Sequence, residues 1–547
     1  GIIVWVVRQK QNDSADYFLG GRDATWLAIG ASIFASNIGS EHLIGLAGAG
    51  ASSGMAMAHW EIQGWMILIL GWVFVPFYTR SMVYTMPEFL ERRYNPQSRT
   101  ILSVISLVSY VLTKVAVTVY AGGLVFQQVF GIKELWGIDF FWIAAIGLVV
   151  LTALYTIFGG MKSVLYTSVL QTPILLLGSL IILVLGFKEL GGWDEMMRVC
   201  GAVTVNNYGD TMTNLIRSND DANFPWLGAL IGSAIIGFWY WCTDQFIVQR
   251  VLSGKNEMEA RRGTIFGAYL KLLPVFLFLI PGMIAFALHQ KYIGAGGEGF
   301  LPMLANGTAN ADAAFPTLVA KLLPAGVKGL VVCGILAALM SSLASLFNSS
   351  AMLFTIDFYK RFRPETPEKK LVGIGQVATV VIVILGILWI PIMRSVGDVL
   401  YTYLQDVQSV LAPGIAAAFL LGICWKRTSA QGGMWGLIAG MVIGLTRLGA
   451  KVYYSNAGEV ADSTFKYLFY DMNWLFFCGW MFLFCIIVVI VVSLATKAPT
   501  AEKIQGLVFG TATKEQKAAT RASWNHWDII HTVIILAITG AFYWYFW

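Results

Sequence analysis

Five long windows of the chain contain no charged residue, and each is long enough to cross a lipid bilayer. They are residues 163–187, 371–393, 428–446, 472–496 and 529–547. A bilayer-spanning helix needs about 20 predominantly apolar residues, so these windows predict transmembrane helices. Only 12% of the 547 residues are charged, about half of the share in an ordinary soluble domain. The sequence therefore predicts an all-α, polytopic membrane protein.

Further apolar segments carry isolated polar residues and raise the predicted number of transmembrane helices to about fourteen. Their predicted starts lie near residues 25, 55, 100, 137, 164, 225, 262, 327, 370, 396, 430, 470 and 527, after a clipped helix in residues 1–7. Lys and Arg collect in alternate loops, which the positive-inside rule assigns to the cytoplasm. This topology predicts that both termini are extracytoplasmic. It also accounts for the net charge of +6, which gives no support to nucleic-acid binding.

The cysteines bear on the expected location. Five of the six lie in predicted spans, and Cys200 is alone in a predicted outer loop, so the sequence predicts no disulfide framework. We expect a multi-pass integral protein of the cell membrane, the inner membrane of a bacterium.

Two apolar segments, residues 33–50 and 237–250, are interrupted by small and polar residues. The first places Asn37, Glu41 and His42 at membrane depth. Polar side chains there usually face a cavity or each other, and broken helices are tolerated where they are packed in protein or line a cavity. Paired interruptions in two halves of a chain are typical of transporters built from inverted repeats. The sequence thus predicts a solute pocket in a five-plus-five inverted-repeat core.

The predicted organisation has seven parts. In chain order they are a clipped helix and cytoplasmic linker (1–22), the first repeat (23–187), an extracytoplasmic loop (188–223), the second repeat (224–425), two accessory helices (426–496), a cytoplasmic linker (497–526) and a last transmembrane helix (527–547).

Seven motifs carry a resemblance to a known family. They are ADYFLGGR, SNIGSEHLIGLAG, MPEFLERRY, IFGGMKSV, WYWCTDQFIVQR, LMSSLASLFNSS and SVLAPGIAAAFLLGICWKR. Over nearly its whole length the chain resembles the sodium/solute symporter family, and specifically its sodium/glucose cotransporter branch. The resemblance implies an amino-acid/sodium symporter-like core and a secondary transporter that imports a hexose, glucose or galactose, together with sodium by alternating access.

The resemblance implies one sodium site. Its ligands would be the carbonyl oxygens of Ala35, Ile38 and Ala338 and the hydroxyls of Ser341 and Ser342. Oxygen ligands suit a hard cation. Some relatives hold a second sodium with an aspartate on the fifth span and a hydroxyl residue near the paired serines. The matching positions are Ser168 and Ala344, which lack both ligands, so we expect one Na⁺ per solute.

The resemblance also implies a set of sugar contacts. They are Asn37, His42, Glu61, Lys114, Tyr240, Trp241, Lys271 and Gln405. Carboxylates, amides and cations suit a hexose because each hydroxyl both donates and accepts hydrogen bonds. Two alternatives stay open. The three charged side chains could neutralise one another as a buried structural network, and His42 could be a satisfied core residue.

The remaining expectations concern gating and other functions. By resemblance, Leu46, Trp60 and Tyr401 would form an outer lid and Tyr240 an inner plug, while Asp244 would have a structural or gating role. A symporter of myo-inositol or another polyol is the nearest alternative, because such contacts do not specify a ring oxygen. An intramembrane enzyme is disfavoured since no HExxH motif or nucleophile elbow occurs. A channel is disfavoured because the polar residues do not line a continuous path. The expected partners are a hexose, Na⁺ and the lipid bilayer.

Overall fold

The computed structural model describes residues 14–39, 41–304, 307–394, 400–456 and 461–547. The predicted clipped helix in residues 1–7 lies outside the described residues. Tyr401 lies on a described helix, but its side chain is outside the described part.

The first half of the described chain is built from eleven α-helices and one small hairpin. They are α1 (Ser14–Leu19), α2 (Trp26–Asn37), α3 (Ala47–Ser53), α4 (Ala58–Glu61), α5 (Gly64–Ile69), α6 (Val75–Ser81), α7 (Met86–Arg93), α8 (Pro96–Ser109), α9 (Ala116–Phe130), the antiparallel strands β1 (Glu134–Leu135) and β2 (Ile138–Asp139), α10 (Phe140–Leu190) and α11 (Trp193–Gly201).

The second half is helical throughout its described regular structure. It contains α12 (Trp226–Gly237), α13 (Gln245–Leu252), α14 (Glu257–Lys271), α15 (Ile280–Gly294), α16 (Ala314–Leu322), α17 (Ala325–Met352), α18 (Lys360–Phe362), α19 (Glu368–Arg394), α20 (Leu400–Cys424), α21 (Ala430–Asn456), α22 (Thr464–Lys466), α23 (Trp474–Ala495), α24 (Ala501–Ile504), α25 (Lys514–Ala522) and α26 (His526–Tyr545).

Several transmembrane segments contain a wider, π-helical stretch that joins two α-helices. These stretches are Glu41–Leu46, Leu70–Phe74, Tyr110–Val115, Phe238–Thr243, Val275–Leu279 and Leu353–Tyr359, and a further one, Tyr467–Asp471, precedes α23. π-helical turns occur often at functional sites. Two of these stretches, Glu41–Leu46 and Phe238–Thr243, fall in the two segments that the sequence predicts to be interrupted.

Ten helical segments of the described chain are long and apolar enough to cross a membrane. Shorter apolar helices at Trp26–Asn37, Val117–Gln127 and Phe140–Leu154 fall in three further predicted crossings. A polytopic, mostly helical membrane protein is therefore confirmed, whereas the number of fourteen crossings, the inverted repeat and the domain boundaries stay predictions.

Gly160 separates two predicted crossings within α10. Its φ of +51° and ψ of −150° are not helical, and the helix changes direction there. A Cβ atom at this position would lie 2.5 Å from the carbonyl oxygen of Tyr17, so only glycine allows α1 to pack this closely.

The long central helices surround the interrupted segments. α10 packs along α17, and α2 packs between α10 and α14. A second group of α20, α21 and α23 packs together beside this core and meets it through α12. This arrangement places the two interrupted segments in the interior, where many polar side chains are buried.

Candidate functional site

The first interruption brings backbone oxygens at the end of α2 next to a serine of α17. α2 ends at Asn37, and Ile38 adopts an extended conformation with φ −79° and ψ 101°. The last carbonyls of a helix have no partner within it, so this end presents oxygens to the protein interior. The Ser342 hydroxyl donates a hydrogen bond to the Ser36 carbonyl oxygen at 2.8 Å and lies 3.5 Å from that of Ile38.

Gly39 makes this approach possible. A Cβ atom at Gly39 would lie 2.5 Å from the Ser342 hydroxyl oxygen, so any side chain would push α17 away from the end of α2. The other predicted sodium ligands are also buried. Ala35 is in the last turn of α2, and Ala338 lies one helical turn before Ser342.

Ser341 faces the long helix α10. Its hydroxyl lies 3.3 Å from that of Ser168, which also donates a hydrogen bond of 2.6 Å to the Val164 carbonyl oxygen. Ala344, on the same helix as Ser341, provides no side-chain oxygen. The two positions at which some relatives would hold a second sodium therefore supply one neutral hydroxyl and no carboxylate.

A small cavity of about 40 Å³ lies between the two interrupted segments, α14 and α20. It is lined by Asn37, Glu41, His42, Trp60, Glu61, Gln63, Ile236, Gly237, Tyr240, Trp241, Lys271, Gln405 and Gln408. All of the predicted sugar contacts except Lys114 are in this lining. This volume is far below the roughly 300–1,000 Å³ of a small-molecule pocket, so the cavity must widen before a solute can enter.

A continuous set of polar contacts joins four helical segments across this cavity. Lys271 Nζ donates to Glu61 Oε2 at 2.6 Å, and His42 Nε2 lies 3.1 Å from the same oxygen. Asn37 Nδ2 lies 3.3 Å from His42 Nε2, and the Tyr240 hydroxyl donates to Asn37 Oδ1 at 3.1 Å. We name these five residues the cavity cluster.

Three buried polar atoms in the lining have no hydrogen-bond partner in the described part of the chain. They are His42 Nδ1, Trp60 Nε1 and Gln405 Oε1. Buried polar atoms are nearly always paired, so each exception needs an explanation. Whether His42 Nδ1 donates or accepts depends on the ring tautomer. The cavity thus offers the Trp60 donor, the Gln405 acceptor and one ring nitrogen of His42 as unused polar atoms.

Aromatic rings cover part of the cavity wall. The rings of Tyr240 and Trp241 meet edge to face at 4.9 Å, and Lys271 Nζ lies 5.3 Å from the centre of the Trp241 ring. An apolar face beside charged and amide groups suits a ring-shaped solute whose edge carries hydroxyls and whose faces carry C–H groups.

Lys114 belongs to a separate group of polar side chains. Its Nζ donates to Asp244 Oδ2 at 2.8 Å and lies 4.4 Å from the centre of the Tyr240 ring. The Tyr110 hydroxyl donates to Asp244 Oδ1 and accepts a hydrogen bond of 3.0 Å from the Phe246 N–H. We name Tyr110, Lys114 and Asp244 the Asp244 cluster, and it lies against the Tyr240 ring from outside the cavity lining.

The predicted gate residues are buried where their side chains are described. Leu46 and Tyr240 are buried, and the Trp60 ring stacks on that of Trp474 at 5.5 Å with an angle of 24°. The Phe224 ring lies 6.1 Å from that of Trp60 at an angle of 70°. The side chain of Tyr401 lies outside the described residues, so its part in a lid stays a prediction.

Hydrogen bonds hold the loop that carries Phe224. Asp221 accepts bonds from the N–H groups of Asn223 and Phe224, at 2.9 and 2.8 Å, and from the Asn206 amide at 2.8 Å. Burial raises the pKa of the Asp221 carboxyl, but these bonds and nearby Arg217 outweigh burial and hold it below its usual value.

Some residues of the cavity are absent from the sequence-based set. Glu41, Gln63 and Gln408 also line it. Glu41 directly precedes His42 and is one of the polar residues that the sequence places at membrane depth. Gln408 lies three residues after Gln405 on α20, so helical periodicity offered a signal for it. Gln63 follows Glu61 at a position that periodicity does not select.

Comparisons with known proteins agree with this arrangement. The model of the sodium:solute symporter family matches residues 17–440. The human sodium/myo-inositol cotransporter 2 is 37% identical over 518 residues, which cover 92% of this chain and 76% of that protein. The zebrafish (Danio rerio) sodium/glucose cotransporter 4 is 36% identical and covers 91% of this chain and 76% of that protein.

The fold has also been seen in a solved structure. A Na⁺-coupled sialic acid symporter in a substrate-bound outward-open state superposes with a TM-score of 0.72 at 22% identity, and the match covers 91% of this chain and 95% of that one. With the family model matching most of the length, the chain belongs to the sodium:solute symporter family and couples solute transport to Na⁺.

Proposed function

We propose that this protein is a Na⁺-coupled symporter of an uncharged cyclic polyol, with myo-inositol as the first candidate. The observation that carries the proposal is the set of unpaired polar atoms around the cavity, His42 Nδ1, Trp60 Nε1 and Gln405 Oε1. A hydroxyl group can donate to an acceptor and accept from a donor, so a polyol can satisfy all three atoms.

The charges around the cavity favour a neutral solute. Glu41 and Glu61 line it with one ammonium group, that of Lys271, which already pairs with Glu61. Because Glu61 and Lys271 neutralise each other, that ammonium group is not free to pair with an anionic substrate. A polyol brings no charge, and its hydroxyls hydrogen-bond to carboxylates, amides and imidazole alike.

A hexose is the second candidate. The motif resemblance favours a hexose, whereas the relatives at 37% identity include sodium/myo-inositol cotransporters. The zebrafish glucose cotransporter, at 36% identity, supports the hexose. The two solutes differ because an inositol carries a hydroxyl on every ring carbon and a hexose has a ring oxygen, which only accepts hydrogen bonds.

An uptake panel tests the substrate. Proteoliposomes with and without an imposed Na⁺ gradient would be given labelled myo-inositol, glucose, galactose and sialic acid. We expect Na⁺-stimulated uptake of myo-inositol above that of the hexoses, and none of sialic acid. Uptake of the hexoses alone would make a hexose, and not myo-inositol, the substrate. Uptake of sialic acid alone would reject a site for a neutral polyol.

For the ion we propose a site between the end of α2 and α17. The Ser342 hydroxyl lies beside two backbone oxygens of the interruption, and unwound backbone supplies carbonyl ligands for Na⁺ in transporters of this architecture. The proposed ligands are the five predicted from the sequence, Ala35, Ile38, Ala338, Ser341 and Ser342. The Ser36 carbonyl is a further candidate because it already contacts the Ser342 hydroxyl.

A serine-to-alanine pair tests the ion site. Ser342→Ala should abolish Na⁺-stimulated uptake while the protein keeps its fold. Ser350→Ala is the matched control, since this buried hydroxyl on the same helix has no partner in the described part of the chain. Retained Na⁺ dependence in Ser342→Ala, or equal losses in both variants, would reject the assignment.

We further propose one Na⁺ per solute, because Ser168 and Ala344 supply no carboxylate for a second ion. One charge moving through 100 mV releases about 2.3 kcal/mol, and a tenfold Na⁺ gradient adds about 1.4 kcal/mol. Together they support accumulation of a few hundredfold. Flux measurements that give two Na⁺ per cycle would contradict this stoichiometry.

The position of the proposed ion explains how Na⁺ can drive transport. A ligand shifts a conformational equilibrium only by its difference in affinity between the states. An ion held between α2 and α17 binds well only when these two helices are close, so it favours the conformation that keeps them together. Alternating access then requires that the solute bind to that conformation and that it dissociate after the ion has left.

A further inference from the structure

An apolar groove runs along the outside of the helices, away from the cavity. It has a volume of about 920 Å³ and lies between α8, the Leu353–Tyr359 stretch and α19. Its walls include Leu107, Val108, Phe354, Val377 and Val381, and nearly all of its surface is carbon. Several of these side chains are exposed, Val377 at 64%, so the groove faces the surrounding membrane.

The polar end of the groove is basic. Tyr359 and Lys370 line that end. The segment 360–370, which joins α18 to the start of α19, contains five basic and two acidic residues, a net charge of +3. Lys360 pairs with Glu368 at 2.9 Å, whereas the Lys370 ammonium has no ion-pair partner in the described part of the chain.

The length of the groove fits a lipid chain. Lys370 and Leu385 are fifteen residues apart on α19, which corresponds to about 22 Å of helix. One leaflet contributes about half of the roughly 30 Å hydrocarbon core. An acyl chain can therefore lie along the groove while its headgroup stays beside Lys370 at the membrane surface.

We propose that this groove is a binding site for an anionic phospholipid. Its acyl chain lies between α8 and α19, and its phosphate is bound by Lys370, with Arg363 and Lys369 close by in the same basic segment. Basic pockets beside transmembrane helices on the cytoplasmic side are suited to anionic headgroups, and the positive-inside rule places this loop on that side. The occupant is a lipid of the membrane and not the transported solute.

The site borders two helical stretches that carry buried charged residues. α8 continues into the Tyr110–Val115 stretch, which carries Lys114. The Leu353–Tyr359 stretch carries Asp357, which accepts hydrogen bonds from Arg99 at 2.7 Å and Thr85 at 2.8 Å. A bound lipid therefore packs against α8, which continues into the stretch that carries Lys114 of the Asp244 cluster.

Lipid binding to the purified full-length protein tests the proposal. Native mass spectrometry would measure binding of phosphatidylglycerol and of phosphatidylcholine with matched acyl chains. We expect phosphatidylglycerol to bind more tightly. Lys370→Gln should weaken its binding about fivefold, the effect of one lysine near an anionic surface. Lys255→Gln, another exposed lysine in a basic loop, is the matched control and should bind like the unchanged protein.

A second variant tests the apolar part. Val377→Trp fills the groove from a membrane-facing position and should weaken binding of both lipids without removing a charge. Equal binding of the two lipids, or equal binding by Lys370→Gln and Lys255→Gln, would overturn the headgroup site. Unchanged lipid binding by Val377→Trp would show that the acyl chain does not lie in the groove. This test does not depend on whether Lys370→Gln folds.

Discussion

The cavity cluster and the Asp244 cluster meet at Tyr240, whose hydroxyl contacts Asn37 and whose ring contacts Lys114, yet they differ in how completely their polar atoms are paired. Around the cavity cluster, three buried polar atoms have no partner in the described part of the chain. In the Asp244 cluster both carboxylate oxygens are used, one by Lys114 and the other by Tyr110 and the Phe246 N–H. The first group therefore leaves polar atoms for a solute or water to pair, whereas the second is complete within the protein.

This difference separates two explanations that the residue types alone leave open. A charged residue at membrane depth can bind a solute or can belong to a structural network. Lys114 and Asp244 form an ion pair in which both side chains are 2% exposed, and Asp244 also caps the start of α13. We therefore interpret the Asp244 cluster as a latch between the Tyr110–Val115 stretch and the second interruption.

The largest effect is expected from breaking the latch. Asp244→Asn leaves the Lys114 ammonium buried beside an uncharged amide, and removing one partner of a buried ion pair costs about 3–5 kcal/mol. We expect a clear fall in the thermal unfolding temperature of the protein in detergent. The measurement is the loss of folded protein on heating, followed by size-exclusion chromatography.

A double variant is the control for this prediction. Replacing a buried ion pair by apolar residues of similar volume is often neutral, so Lys114→Met combined with Asp244→Leu should recover most of the lost stability. If Asp244→Asn unfolds at the same temperature as the unchanged protein, Asp244 is not the partner that keeps Lys114 buried, and the comparison between the clusters fails.

A smaller effect on stability, and a larger one on binding, is expected in the cavity cluster. Glu61→Gln removes the carboxylate shared by Lys271 and His42, but water in the cavity can hydrate the remaining ammonium. We expect a smaller fall in unfolding temperature than in Asp244→Asn. Loss of hydrogen bonds to a charged group should weaken polyol binding by about 1.5–3 kcal/mol, about 10- to 150-fold, measured as half-saturation of uptake.

Glu61→Asp serves as the comparison for that variant, because it keeps the charge and shortens the side chain. It should keep more of the stability than of the polyol affinity. A fall in unfolding temperature for Glu61→Gln that equals that of Asp244→Asn would mean that both clusters are structural networks, as the alternative in the sequence analysis allowed.

The sequence predicted the class of fold because apolar length and broken periodicity are local properties. Windows without charge predicted transmembrane helices, and small and polar residues around Ile38 predicted an interruption that the structure shows. The motif resemblance predicted the family, which the comparisons confirm. The assignments of individual site residues stay predictions, although the structure brings most of the predicted sugar contacts around one cavity.

The pairing of side chains across helices could not be predicted from the sequence, because it depends on contacts between distant segments. Glu61, Lys114, Lys271 and Asp244 lie on separate spans, and the sequence does not say which carboxylate faces which ammonium. The structure pairs Lys114 with Asp244, and Lys271 with Glu61. The Tyr110 contact has no sequence signal, because a lone tyrosine in an apolar helix is as typical of packing or of a membrane interface.

The sharpest comparison uses two glutamines that differ in their partners. Gln405 Oε1 is buried without a partner in the described part of the chain. Gln249 accepts a hydrogen bond from the Ser349 hydroxyl at 2.8 Å and donates one to the Phe18 carbonyl oxygen at 2.7 Å. The same substitution, Gln→Leu, removes an unused acceptor at the first position and a satisfied pair of hydrogen bonds at the second.

Gln405→Leu should leave the unfolding temperature unchanged or raise it, because it replaces an unpaired buried oxygen by carbon. The half-saturation concentration of the polyol should rise about fivefold, since one hydrogen bond of about 1 kcal/mol is lost. Gln249→Leu should do the reverse. It strands the Phe18 carbonyl and should lower stability by about 1–3 kcal/mol, with little change in half-saturation. Gln405→Leu could instead destabilise the protein as much as Gln249→Leu and leave half-saturation unchanged. In that case the unpaired Gln405 oxygen does not bind the solute, and unpaired polar atoms do not identify the binding site.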